Sequence, residues 1–317
     1  MISRTTVKPQ SKCFKHPETN SSTILIDTIS TKQQLLFANT TTTTNRIYGG
    51  SDAVYSESPW TVYIKYDSSG SIFTHDCTGS LINKQWIITA ARCNYGSKRY
   101  PNKFSRIRVF LRSSKPGRES GVMIPVQTIH LFRHRLYNNT LEICPYDIAL
   151  YKLEHSVDDN IGDGLNYPLL VNQLCLPAND TIYNAWAELA TMYGWGGSEY
   201  IPIGIEPLVV FKWQISPTVL QKTTVQLNSN HECRGHFLCS YHPKGWILNS
   251  TGCDGDLGGG LVQYIDDYKG RAVLIGIYVG REATNKWTID CADNTKTMYW
   301  IPVAKHIDWI LETIKNN

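Results

Sequence analysis

"GCDGDLGGGLV" occupies Gly252–Val262, and the rest of the chain is best read outward from it. Glycines flank an acidic residue and a central position, the composition of a tight turn whose backbone must pass close to its neighbours. The surround reads as if built to hold a nucleophile. The central residue here is Leu257, which can neither attack a carbonyl nor share a proton. The sequence keeps a cradle and omits the group it would hold.

Moving outward, the 317 residues hold enough apolar and aromatic side chains for a real core and contain no run long enough to span a membrane as a helix. Residues 1–46 read as a basic leader ending in the threonine run Thr40–Thr44. Of 31 basic and 27 acidic side chains in all, six and two fall in that leader, so 25 of each remain beyond it. A neutral domain lacks the broad positive field that nucleic-acid binding needs, so no nucleic acid is expected as a partner.

From Ile47 onward, short segments rich in β-branched and aromatic residues alternate with turn signals. "WTVYIKY" (60–66), "SLINKQWIITA" (80–90), "RIRVFLR" (106–112), "DIALYKL" (147–153), "LVVFKWQI" (208–215) and "AVLIGIYV" (272–279) are predicted as strands. Many short strands without helical periodicity between them indicate antiparallel barrels or a sandwich. One helix is predicted over 302–315, where Val303, Ile307, Ile310 and Ile314 share a face.

Nine cysteines are many for a chain kept in a reducing compartment, and their spacings form no paired C-x-x-C zinc knuckles. No metal and no cofactor is implied. Five Asn-x-Ser/Thr sites, at Asn20, Asn39, Asn138, Asn179 and Asn249, favour the secretory route. The polar "ISRTTVKPQSK" near the start shows no signal peptide, so the expectation is an extracellular protein whose true start is missing from this sequence.

Four landmarks fall in order: "RIYGG" (46–50), "CTGSLINKQWIITAARC" (77–93), "DIALYKL" (147–153) and "CDGDLGGGL" (253–261). This ordered set resembles the trypsin/chymotrypsin family of serine proteases, from Ile47 through the C-terminal helix. "YGWG" (193–196) and "CADNTKTMYWIPVAKHIDWI" (291–310) extend the likeness. The resemblance implies two packed six-stranded antiparallel β-barrels, the first over about 47–165 and the second over about 175–300, closed by the C-terminal helix.

It also implies where a catalytic triad would stand. The general base, the aspartate that orients it and the nucleophile fall on Arg92, Asp147 and Leu257. Only Asp147 keeps its type. Arg92 is permanently protonated and cannot take a proton from a nucleophile. Losing serine, histidine or both from such a triad costs roughly a million-fold in turnover. Gly255 and Leu257 retain backbone N–H groups where an oxyanion hole would form, and Thr251 stands at the base of the specificity pocket without a charge. "GIYVG" (276–280) replaces the Ser-Trp-Gly edge that pairs with substrate backbone. A glycan on Asn249 would sit close to the pocket wall.

The scaffold implied by the resemblance is fuller. It pairs Cys77–Cys93, Cys233–Cys239 and Cys253–Cys291, with Cys13–Cys175 tethering the leader. One further family bridge is missing at both ends, where Ala190 and Gln263 stand, and Cys144 is left over. Cleavage after Arg46 would free the ammonium of Ile47 to pair with Asp256. The expectation is a secreted, catalytically inactive homologue acting by protein binding, as a decoy, cofactor or regulator. The partner would be a cascade protease, its substrate or an immune recognition protein, with a disulfide-linked dimer through Cys144 as a further option. Three alternatives stay open: a serine endopeptidase, an enzyme of other chemistry built on Cys144, and a structural or storage protein.

Overall fold

A computed structural model describes Ile47 and residues 50–53, 55–67, 75–95, 106–111, 122–126, 130–141, 143–157, 171–178, 189–196, 199–203, 211–215, 219–227, 233, 235–241, 251–253, 255–265, 271–282 and 296–317. In chain order the elements are β1 (Ser51–Asp52), β2 (Thr61–Asp67), β3 (His75–Asn83), β4 (Trp86–Thr89), α1 (Arg92–Tyr95), β5 (Arg106–Leu111), β6 (Val122–Val126), β7 (Leu131–Arg133) and β8 (Ala149–Lys152). They continue with β9 (Leu189–Gly194), β10 (Glu199–Ile203), β11 (Phe211–Ile215), β12 (Gln221–Leu227), β13 (Leu238–Tyr241), β14 (Gly260–Ile265), β15 (Arg271–Arg281), β16 (Met298–Pro302) and α2 (Ile307–Asn316).

The second half closes on itself. Strands β12-β13-β16-β15-β14-β9 run side by side, and β9 pairs back onto β12 to complete a six-stranded barrel. Closure leaves no free edge. Strand β12 shows the cause, because "QKTTVQL" alternates buried and outward residues along its length. The first half is a seven-stranded antiparallel sheet ordered β6-β5-β2-β3-β4-β8-β7. Among the described residues its ends, β6 and β7, are not joined, so it forms a half-barrel where a closed six-stranded one is expected from the sequence.

Two features tie the halves together. Strand β1 pairs with β12, which places Ser51 and Asp52 on the edge of the second sheet. One core cluster then runs across both halves, joining Trp60, Tyr63, Ile64 and Ile88 with Tyr193, Trp195, Leu274 and Ile301, while a second lies within the closed barrel around Met192 and Trp300. Trp60 meets Tyr193 edge-on at 6.0 Å, and Tyr63 meets Trp195 at 5.6 Å. The C-terminal segment is a 3₁₀ turn over Val303–His306 followed by α2, so the helix predicted over 302–315 is present with a tighter first turn.

Cysteine pairing fixes two loops. Cys77–Cys93 joins β3 to α1, and Cys233–Cys239 closes the loop ahead of β13. Cys175 and Cys253 are also disulfide-bonded, to partners outside the described residues, where Cys13 and Cys291 lie. Cys144 is free and buried at 1% exposure, so a bridge to a second chain would require the surrounding loop to open first. The two bridges described are intramolecular. Ala190 and Gln263 lie on adjacent strands, where the β9–β14 register pairs Leu261 with Met192 and Val262 with Thr191. The Gln263 amide donates to the Leu189 carbonyl at 3.4 Å, a hydrogen bond where a covalent link would otherwise run.

Candidate active site

The Gly252–Val262 turn is gripped from both halves. Thr78 on β3 donates its backbone N–H to the Leu257 carbonyl at 2.8 Å and its hydroxyl to the Gly255 carbonyl at 3.0 Å. From β15, the Tyr278 carbonyl accepts from Gly258 N–H at 2.8 Å, and Tyr278 N–H donates to the Gly259 carbonyl at 2.9 Å. Gly258 sits in the left-handed region at φ +82°, and a methyl group there would overlap the Thr89 hydroxyl and the Thr78 carbonyl. Only glycine fits that approach.

Asp256 is fully buried. One of its carboxylate oxygens accepts from Gly196 N–H at 2.6 Å and the other from Cys253 N–H at 2.9 Å. A side chain at Gly196 would collide with this carboxylate. Ile47 is buried as well, in a turn where its carbonyl accepts from Gly50 N–H at 2.6 Å. Arg46 lies outside the described residues.

Arg92 opens α1 directly after β4, and Asp147 precedes β8. Because β4 and β8 are paired neighbours, their ends bring the two residues together. Arg92 occupies both oxygens of Asp147: its backbone N–H donates to one at 2.8 Å, and its side-chain Nε–H donates to the other. Asp147 is fully buried and Arg92 nearly so. Burial alone would lower the arginine pKa, but the charge and hydrogen bond of Asp147 outweigh it and raise the value above normal. The guanidinium reaches toward β15, with one terminal nitrogen 3.7 Å from where a Cβ on Gly280 would stand. Leu257 is close by, its carbonyl oxygen 3.6 Å from the sulfur of Cys93, next in the chain to Arg92. The structure thus gathers Arg92, Asp147 and Leu257 at one place between the halves. A fixed cation, a neutralised carboxylate and an alkyl group stand there.

Beside this cluster three large side chains crowd Thr251 and Gly252. The Tyr278 hydroxyl donates to the Gly252 carbonyl at 3.0 Å, and Met298 Sδ lies 3.3 Å from Gly252 N. Arg281 donates to the Thr251 hydroxyl at 3.0 Å. All five residues are buried. Tyr278 also packs against Trp300, with ring centroids 5.1 Å apart. Thr251 is fully buried beneath these contacts. Sequence reading picked out Thr251, took Tyr278 within GIYVG only as part of a backbone edge, and missed Met298 and Arg281. The available signal was bulky residues at the paired ends of two strands, since Tyr278 pairs with Trp300 and Arg281 with Met298.

Of the sequons, Asn138 is exposed, and its side-chain oxygen accepts from Thr140 N–H at 3.0 Å. Asn20, Asn39, Asn179 and Asn249 lie outside the described residues. Among the described residues, no helix is long and apolar enough to cross a membrane.

A closed β-barrel packed on a β half-barrel, with a glycine turn and an aspartate meeting at the junction, defines the architectural class of the two-barrel serine proteases. The trypsin family model matches residues 47–310, and the chain belongs to that family. It is 29% identical over 284 residues to human chymotrypsin-like elastase family member 3B, covering 86% of this chain and 90% of that protein. Human chymotrypsin-like elastase family member 3A is also 29% identical over 284 residues, again covering 86% of this chain and 90% of the relative. Serine proteinase stubble of Drosophila melanogaster is 29% identical over 293 residues, covering 85% of this chain and 31% of the larger protein.

Proposed function

We propose that this chain is a trypsin-family protein that does not hydrolyse peptide bonds and acts outside the cell by binding other proteins, as a decoy, cofactor or regulator of a proteolytic or immune cascade. One observation carries the reading. Arg92 takes up both carboxylate oxygens of Asp147, beside a leucine in the nucleophile's turn. A general base needs a lone pair near the attacking group, and a guanidinium has none to offer. An alkyl side chain cannot form an acyl intermediate.

The crowding around Thr251 supports the same conclusion from the substrate side. A side chain entering above Thr251 would have to displace Tyr278, Met298 and Arg281 from buried hydrogen-bonded positions. Disulfides at Cys77–Cys93 and Cys233–Cys239 fit an oxidising, extracellular setting. Cleavage after Arg46, with Ile47 turning to Asp256, would be an inherited conformational step that orders the junction for binding.

The test is covalent labelling together with turnover. Protein processed after Arg46 is incubated with a fluorophosphonate probe and a broad peptide library. Neither labelling nor turnover above a heat-inactivated control is expected. Turnover that survives removal of contaminating proteases would overturn the proposal.

A further inference from the structure

Away from the triad positions, a cavity of about 680 Å³ opens between the chain after β7, the turn before β8, the Cys233–Cys239 loop and the start of α2. Its volume lies within the range of built ligand sites. Its floor is aromatic. His134 stacks on Tyr146 at 4.8 Å with the rings 14° apart, and Trp309 stands 5.1 Å from the same imidazole. His306 meets His134 edge-on at 5.3 Å.

The rim is cationic. Arg135 and Lys305 carry fixed positive charges from two separate elements, and His236 adds a third exposed nitrogen base. Glu312 is the one carboxylate on the wall. Lys305 Nζ donates to the Gly235 carbonyl at 3.1 Å, which holds its charge at the rim.

A side-chain donor on the wall points to a ligand as well. His134 is 9% exposed, and its Nδ1 accepts from the Leu136 backbone N–H at 3.3 Å. Burial, and then the charge of Arg135, lower its pKa, so the ring is neutral at pH 7 and carries its proton on Nε2. Among the described residues no acceptor is bonded to that Nε2–H. An aromatic floor, an imidazole N–H and a cationic rim together suit a carboxylate carried beside a flat apolar group.

We propose that this cavity is the docking site for an acidic segment of a partner protein, in which glutamate or aspartate alternates with an aromatic residue. The carboxylates meet Arg135, Lys305 and the His134 Nε2–H, and the aromatic side chain lies against Tyr146 and Trp309. The proposal gives chemistry to the binding role proposed above, but its readout is peptide binding alone. If the protein proved proteolytic, this site would still stand or fall by itself.

The test uses the full-length protein and a short synthetic peptide of alternating glutamate and tyrosine, with binding followed by calorimetry. A glutamine-for-glutamate analogue, a sulfated polysaccharide and inorganic sulfate are run beside it. Saturable binding of the acidic peptide is expected, weakened about tenfold or more by Arg135→Gln with Lys305→Gln. Both side chains are exposed, so the fold should survive their replacement, and unchanged thermal unfolding checks it. Trp309→Phe should weaken binding less, because a ring remains. No saturable binding, equal binding of the glutamine analogue, or affinity unchanged in the Arg135→Gln/Lys305→Gln protein would overturn the proposal. Binding of the polysaccharide or sulfate with no binding of the peptide would also overturn it.

Discussion

The backbone of the Gly252–Val262 turn and the side chains around it follow different rules. The backbone is locked by Thr78 and Tyr278 from opposite halves, and glycine is required at Gly258 because two oxygen atoms approach within the space of a methyl group. The side chains around it, Leu257, Arg92, Tyr278, Met298 and Arg281, are polar or apolar without regard to one reaction. Packing between the halves holds the turn in place whether or not a nucleophile occupies it.

The largest expected effect comes from attacking the backbone. Gly258→Ala adds an overlapping methyl to a left-handed residue and should cost about 4 kcal/mol or more. Leu257→Ser, one residue away, removes only partly buried apolar surface and should cost about 1 kcal/mol. Chemical denaturation of the two variants measures both. Similar losses would break the distinction between backbone and side chains.

The ion pair comes next. Arg92→Ala leaves Asp147 charged, buried and without its main partner, at an expected cost of about 3 kcal/mol. Adding Asp147→Ala should recover most of that loss. A double-mutant cycle that came out additive would mean the two side chains are uncoupled.

Little of this difference was legible in the sequence, and the reason is physical. The ordered landmarks identify the fold because strand pattern and glycine spacing are local properties, and the β12 alternation is visible residue by residue. Arginine and leucine at Arg92 and Leu257, the positions the family resemblance assigns to base and nucleophile, are equally visible. The crowding around Thr251 and Gly252 depends on where strand register places side chains. Tyr278, Met298 and Arg281 converge only because β15 and β16 are paired with a bulge between Tyr278 and Gly280. The cavity beside α2 was missed for the same reason, since His134, Tyr146 and Trp309 come from three distant segments.

A smaller effect sharpens the contrast with that second region. Burial, the neighbouring His134 and the charge of Lys305 push the His306 pKa down to about 4, against a raising hydrogen bond to the Pro145 carbonyl. Among the described residues, His134, Tyr146, His236, Arg135, Lys305 and Glu312 are the other titratable or charged groups lining that cavity. The unfolded chain, with an ordinary histidine pKa near 6.5, binds more protons between those two values, so acid favours unfolding. Stability should be full above neutral pH, fall by about 1 kcal/mol on acidification to about pH 5.5, and level off with respect to this group below about pH 4. His306→Gln should flatten that slope. An identical slope in the variant would assign the effect elsewhere.

The most direct measurement of the central claim restores the missing groups and leaves the surrounding side chains as they are. Arg92→His with Leu257→Ser returns a base and a nucleophile to the retained turn beside Asp147. Peptide-library turnover by this double variant, processed after Arg46, should stay at background because Tyr278, Met298 and Arg281 still crowd Thr251 and Gly252. Turnover of any peptide well above that of the unaltered protein would contradict the account, since it would mean the site admits substrate and lacked only its two reacting groups.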